Sequence, residues 1–208
     1  MALASRALAR RLTARVVSCY RGRRQAPAAP IAAAATAAVQ RTVKPEKARR
    51  LCDVFINHRG ADTKRTVAGL LYDRLVQLNL RPFLDNRTME PGDKLYDSIN
   101  NAILDCKVGI AIFSPRYCES FFCLHELAML VEAGKKLIPI FCDVKPSDLL
   151  VADVQSHPPE KIERFRNALQ EAKNTVGITF DSQNGNWSEL VSRTTEIVAK
   201  SIKEGRGH

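Results

Sequence analysis

From Leu51 onward the chain alternates short apolar runs with longer amphipathic stretches. Leu51-Cys-Asp-Val-Phe-Ile56 is apolar and gives way to the breaker-like Asn57-His58-Arg59-Gly60, which predicts a buried strand. Asp62 then stands as the cap of a helix with the stripe Val67, Leu70, Leu71, Leu75 and Leu78. A short strand at 81–84, a polar loop from Asp85 to Gly92 and a helix with Leu95, Ile99, Ala102 and Ile103 on one face follow. The alternation continues with a strand at 107–113, a helical stretch from Ser114 to Val131, and a strand at 136–142 between Gly134 and Pro146. After a loop ending at Pro158-Pro159 come a helix with Ile162, Phe165 and Leu169, a strand at 176–180, and a last helix with Leu190, Val191, Val198 and Ile202.

Strands without in-out alternation are covered on both faces, so five of them alternating with five helices predict a doubly wound α/β domain around a five-stranded parallel sheet. Ligands bind such sheets outside the carboxyl ends of the strands, where the strand order reverses. In a flavodoxin-like order 2-1-3-4-5 that crevice lies between the loops after the first and third strands. Arg59 and Gly60 then stand beside the segment that opens at Ser114.

That segment carries the candidate chemistry. Ser114 followed by Pro115 is a helix-start signature and Ser120 a second one, so the stretch is either one helix or a short turn followed by a helix. Glu126 shares a helical face with Phe122, Met129 and Leu130, and a carboxylate there faces desolvation or a cleft. His125 points about 100° away on an ideal helix. Ser114 and Tyr117 read as helix-start and packing residues, and Trp187 as packing the last helix onto the sheet. Arg59 either meets a ligand or fixes its loop by pairing with Asp53 or Asp62.

Composition narrows the function. The net charge is +10, but residues 1–45 hold nine Lys and Arg and no Asp or Glu, leaving 23 basic against 22 acidic residues in the remainder. The basicity therefore belongs to an arm at residues 1–47, and nucleic-acid binding has no support outside it. This Ala- and Arg-rich, acid-free arm reads either as a chloroplast or mitochondrial transit peptide or as a disordered tail, with residues 48–208 forming the domain. No run is long enough to span a bilayer, and the expected location is cytoplasmic, or an organelle if the arm is an address. Six cysteines without a CxxC pair fit a reducing compartment. Cys118, Cys123 and His125 lack a fourth partner and the spacing of a zinc site, so no metal is expected. Gly60 to Thr66 lacks the spacing of a phosphate loop.

Asp53-Val-Phe-Ile-Asn-His-Arg-Gly-Ala-Asp-Thr63, Pro91-Gly92-Asp93, Ser114-Pro-Arg-Tyr117, Cys123-Leu-His-Glu-Leu127 and Ile138-Pro-Ile-Phe-Cys-Asp-Val144, in this order, resemble a plant Toll/interleukin-1 receptor (TIR) domain. The resemblance covers about residues 50–203, and the length fits a TIR-only protein. It implies the TIR fold and cleavage of NAD+ at the nicotinamide–ribose bond by self-associated domains, in plant immunity and cell death. NAD+ is then a substrate, with no cofactor required, and the partners are further copies of the chain and other TIR-domain proteins. The resemblance makes Glu126 the catalytic carboxylate and places Arg59, Gly60, Ser120 and Phe122 at the substrate. It assigns Asp85 to Lys94, with Asp85, Asn86, Pro91 and Gly92, to a gating loop. Two positions differ from the family's common pattern: Phe122 replaces a Trp, keeping a stacking face without the indole N–H, and Asn57-His58 replaces Ser-Phe. The alternative is an adaptor that acts through homotypic TIR contacts without catalysis.

Overall fold

Five apolar runs become the strands β1 (Val54–His58), β2 (Pro82–Phe83), β3 (Val108–Phe113), β4 (Lys136–Cys142) and β5 (Ile178–Phe180). All pairings are parallel and the order is β2-β1-β3-β4-β5, the doubly wound arrangement expected from the alternation of elements. The computed structural model describes residues 52–89, 94–152 and 158–205. The arm at 1–47 and the gating-loop positions Pro91 and Gly92 lie outside them.

The helices are α1 (Gly60–Thr63), α2 (Val67–Gln77), α3 (Asp85–Thr88), α4 (Leu95–Asp105), α5 (Phe121–Glu132), α6 (Pro159–Asn174) and α7 (Trp187–Glu204). Alternate strand residues divide the core into two layers. Val54, Ile56, Ile110, Ile112, Ile138 and Ile140 pack with buried residues of α2 and α7. On the other face, Ala111, Phe113 and Phe141 pack with α5 and α6, and Phe55 packs with α4 and Leu130 of α5. Trp187 meets Phe180 edge-on at 4.8 Å, tying the start of α7 to β5. No described helix is long and apolar enough to cross a membrane.

Several local expectations are corrected. β1 runs on through Asn57 and His58, because both are buried and paired in register with Ala111 and Ile112 of β3. Asp62 does not cap the long helix; it lies within α1, and α2 begins at Val67. On α2, Leu70 and Leu78 are exposed while Val67, Leu71 and Leu75 are buried, so the buried stripe is narrower than the apolar one. The polar stretch from Asp85 opens with the short helix α3. Of the two readings of the stretch from Ser114, the turn followed by a helix is the one found: a turn and a 3₁₀ segment at Tyr117–Glu119 precede α5, which Ser120 caps. Val176, fully extended into solvent, lies outside β5. Asp53 pairs with Arg81, whose Nε donates to Oδ2 at 3.0 Å, and so ties β2 to β1.

Gly109 sets how closely α5 approaches the sheet. A Cβ at this β3 position would lie 2.9 Å from Cδ2 of Leu130, itself fully buried one turn beyond Glu126. Gly109→Ala is expected to push Leu130 and α5 outward and to cost about 1–3 kcal/mol, the usual range for overpacking a core. Urea unfolding measures this, and an unchanged midpoint would contradict the packing.

Candidate active site

The site begins with the pleat of β1. Since Val54 and Ile56 face the α2 and α7 layer, Phe55 and Asn57 face α4 and α5. Asn57 is fully buried at the carboxyl end of the strand. Its Nδ2 donates to Oε2 of Glu126 at 2.8 Å and to the carbonyl of Cys123 at 3.1 Å, bridging the sheet to α5. Behind it, the fully buried Tyr117 donates its hydroxyl to Oδ1 of Asn57 and lies 3.1 Å from the Cys123 carbonyl. The Tyr117 ring is held edge-on against Phe113 at 4.6 Å.

Glu126 sits half-buried in the second turn of α5, where the apolar sequence of the helix removes most of its water. Among the described residues, its second oxygen, Oε1, accepts no hydrogen bond. Burial raises its pKa to about 7; the Asn57 amide opposes this and the negative charge of Asp85 adds to it. The result is a carboxylate that changes charge near neutrality and is fixed at one oxygen.

A second cluster joins the loops after β1 and β3. Arg59 Nη1 donates to Oδ1 of Asp62 at 2.7 Å, Arg116 Nη2 to the same oxygen at 2.8 Å, and Ser114 Oγ to Oδ2 at 2.7 Å. Burial alone would raise the Asp62 pKa, but Ser114, Arg116 and Arg59 together hold it below the usual carboxylate range. Arg59 also reaches Glu119 at 3.4 Å. Its guanidinium therefore fixes the loop through Asp62, and Asp53 takes no part in its pairing.

Ser120 caps α5, its Oγ accepting from the Cys123 amide at 3.3 Å. Phe122 is 50% exposed one helical turn before Glu126, with its ring 6.0 Å from Tyr96 of α4. Gly60 opens α1 with nothing closer to a built Cβ than Lys64 Cδ at 4.0 Å, so the space beside it is open. Asp85 and Asn86 form the first turn of α3, and Asp85 is close enough to act on Glu126. His125 turns to α6, where its Nδ1 lies 3.1 Å from Arg164. His58 faces away from Asn57 and has a buried Nε2 without a hydrogen-bond partner among the described residues.

A profile of the TIR domain matches residues 52–206. The chain belongs to the TIR family. Among proteins with similar sequences, this TIR domain is 58% identical over 156 residues to the probable 2′ cyclic ADP-D-ribose synthase BdTIR of Brachypodium distachyon, covering 73% of this chain and 70% of that one. It is 33% identical over 166 residues to the TMV resistance protein N of Nicotiana glutinosa, but there it covers only 14% of the longer protein. Among solved structures, the TIR domains of the activated Roq1 resistosome, which recognises the effector XopQ, match with a TM-score of 0.62 and 26% identity. That match covers 71% of this chain and 99% of the other.

From the sequence, Asn57 falls in the loop after the first strand and Tyr117 reads as a helix-start and packing residue, so neither stands out as a site residue. The available signal was the parity of β1: a polar residue two positions after Phe55, at the carboxyl end of a buried strand, faces the crevice side.

Burial of Glu126 has a thermodynamic consequence for this TIR domain. In the unfolded chain its pKa is near 4.5, so at low pH both states bind the proton and no penalty arises. Between the unfolded and folded values the native state holds the extra proton, and stability falls as pH rises through about 7 by an amount on the order of a few kcal/mol. Glu126→Gln removes this titration. Relative to wild type it is expected to gain stability between about pH 5 and about pH 8, measured by urea unfolding at each pH. A difference independent of pH would contradict the assignment.

Proposed function

We propose that this TIR domain cleaves NAD+ at the nicotinamide–ribose bond with Glu126 as the essential carboxylate, and that it signals in plant immunity and cell death when self-associated. The observation that carries this proposal is a half-buried carboxylate near neutrality, anchored by Asn57 at the carboxyl end of β1 beside β3. The 58% identity to a protein named as a probable cyclic ADP-ribose synthase supports it.

A single carboxylate is enough for this reaction. Nicotinamide is bound to ribose C1′ as a cationic pyridinium, and when the C1′–N bond breaks the electron pair returns to the ring nitrogen. The leaving group departs neutral and needs no proton, unlike the oxygen of an ordinary glycoside. Positive charge develops at C1′ and the ring oxygen, where the Glu126 anion stabilises it or orients a ribose hydroxyl. Attack by water, with loss of its proton, gives ADP-ribose; attack by a hydroxyl of the same molecule gives a cyclic product. Phe122 offers a stacking face at the opening, and Gly60 leaves room for close backbone approach. Arg59, already committed to Asp62, holds the loop and meets a phosphate only through its remaining donors.

An adaptor acting through homotypic contacts is the second reading, favoured by the exposed apolar group Leu95, Tyr96 and Phe122 at the ends of α4 and α5. Concentrated or crowded protein incubated with NAD+ separates the two. The enzyme releases nicotinamide at a rate per protomer that rises with concentration, whereas the adaptor assembles and leaves NAD+ intact.

Glu126→Ala is expected to lower turnover by at least about 10²-fold, as for loss of one transition-state stabiliser. Equal nicotinamide release by wild type and variant would overturn the proposal. Because the anion is the working form, the wild-type rate should rise as pH passes upward through about 7 and then level off. A rate that falls across that range would exclude a carboxylate acting as the anion.

A further inference from the structure

A fully buried amide and a fully buried phenol stand in line behind Glu126. Burying either polar group without partners would be costly. The line runs from Tyr117 Oη to Asn57 Oδ1, and from Asn57 Nδ2 to Glu126 Oε2 at 2.8 Å, with the Cys123 carbonyl taking a second Nδ2 contact at 3.1 Å. It crosses from the turn before α5, through β1, to α5 itself.

The direction of this line follows from the chemistry of its far end. A carboxamide can present either its NH2 or its oxygen to a neighbour, and an oxygen facing Glu126 would repel the carboxylate. Burial pushes the Tyr117 phenol well above its ordinary range, with the Cys123 thiol and Glu126 adding to the effect, so the hydroxyl keeps its proton. A protonated phenol requires an acceptor, and both Oδ1 of Asn57 and the Cys123 carbonyl at 3.1 Å stand within its reach. That carbonyl also faces the amide, where a flipped carboxamide oxygen would repel it. The NH2 group is thereby turned toward Glu126.

We propose that Asn57 is the positioning residue of the Glu126 carboxylate, locked in its donating orientation by Tyr117 and the Cys123 carbonyl, so that Oε2 is held and Oε1 is turned to the substrate. This rests on the assignment of NAD+ cleavage to Glu126. Asn57 touches the carboxylate and not the reacting atoms, so its influence is read through Glu126. A serine at this position would end short of α5, which makes the carboxamide's reach part of the arrangement. The titratable and charged groups that also face this carboxylate are Asp85 in α3, Tyr117 before α5, and Cys123 on α5 itself; Arg59 acts on the Cys123 thiol.

The test compares nicotinamide release against pH for wild type, Asn57→Leu, Tyr117→Phe and Glu126→Ala, with circular dichroism melts to establish folding. Asn57→Leu keeps similar bulk but donates nothing. It is expected to lower kcat about tenfold or more with KM changed less than about threefold, and to move the inflection upward by about one pH unit, since a lost donor disfavours the anion. Tyr117→Phe keeps the ring against Phe113 and should shift both quantities in the same direction by less. An inflection that stays in place in folded Asn57→Leu overturns the proposal, and if that variant does not fold, the same result in Tyr117→Phe overturns it.

A second readout does not use turnover. The side-chain NH2 protons of Asn57 should move in NMR spectra with an inflection near pH 7 in wild type, and this movement should vanish in Glu126→Gln. Equal turnover by wild type and Glu126→Ala, with this titration present, would defeat the NAD+ assignment and leave the positioning intact. Asn57 resonances that do not respond to pH would defeat the positioning itself.

Discussion

The hydrogen bond from Asn57 to Glu126 joins the sheet to the helix that carries the chemistry. A carboxylate on so apolar a helix is stable only where something answers its charge, and a neutral amide answers it in part. A guanidinium in that place would hold Glu126 ionised and bind it tightly, which would remove its ability to respond to substrate charge. The amide instead fixes geometry while burial and Asp85 leave the pKa near neutrality. The cations of the site are kept a short distance away, on Asp62, where they tie the loops after β1 and β3 together.

These two clusters divide the work. The Asp62 cluster is an ion-pair and hydroxyl network that ties together the loops after β1 and β3, and the Asn57 line is a nearly neutral network that ties the sheet to α5. Both depend on the strand order, because β1 and β3 are neighbours whose connections leave in opposite directions. The strand order therefore brings both clusters to the carboxyl end of the sheet, and Gly109 sets the depth of α5. Residues 57, 62, 114, 117 and 126 then decide the chemistry available there.

Much of this was legible in the chain. The apolar runs with unbroken burial marked a parallel sheet, the helical stripes marked its cover, and the ordered motifs marked the family. Glu126 stood out because it shares a face with apolar neighbours. Strand and helix ends were less legible, since Asn57 and His58 look like loop residues until the pairing with Ala111 and Ile112 is known. Asp62 looks like a cap because a short polar residue before an apolar stripe usually is one, and only the tertiary approach of Ser114 and Arg116 gives it another occupation. Tyr117 was hidden for a related reason: a buried tyrosine is ordinarily a packing residue, and its partner comes from sixty positions away.

Everything in the site turns on Glu126 being held in the folded protein as a carboxyl group that ionises near neutrality. Carbon-13 NMR of the glutamate side-chain carboxyl carbons, with Glu126 assigned by its loss in Glu126→Gln, follows that ionisation directly. An inflection at about 7 is the predicted result. An inflection near the ordinary value of 4.5 would mean that the carboxylate is neither desolvated nor tuned by its neighbours, and would overturn this assignment.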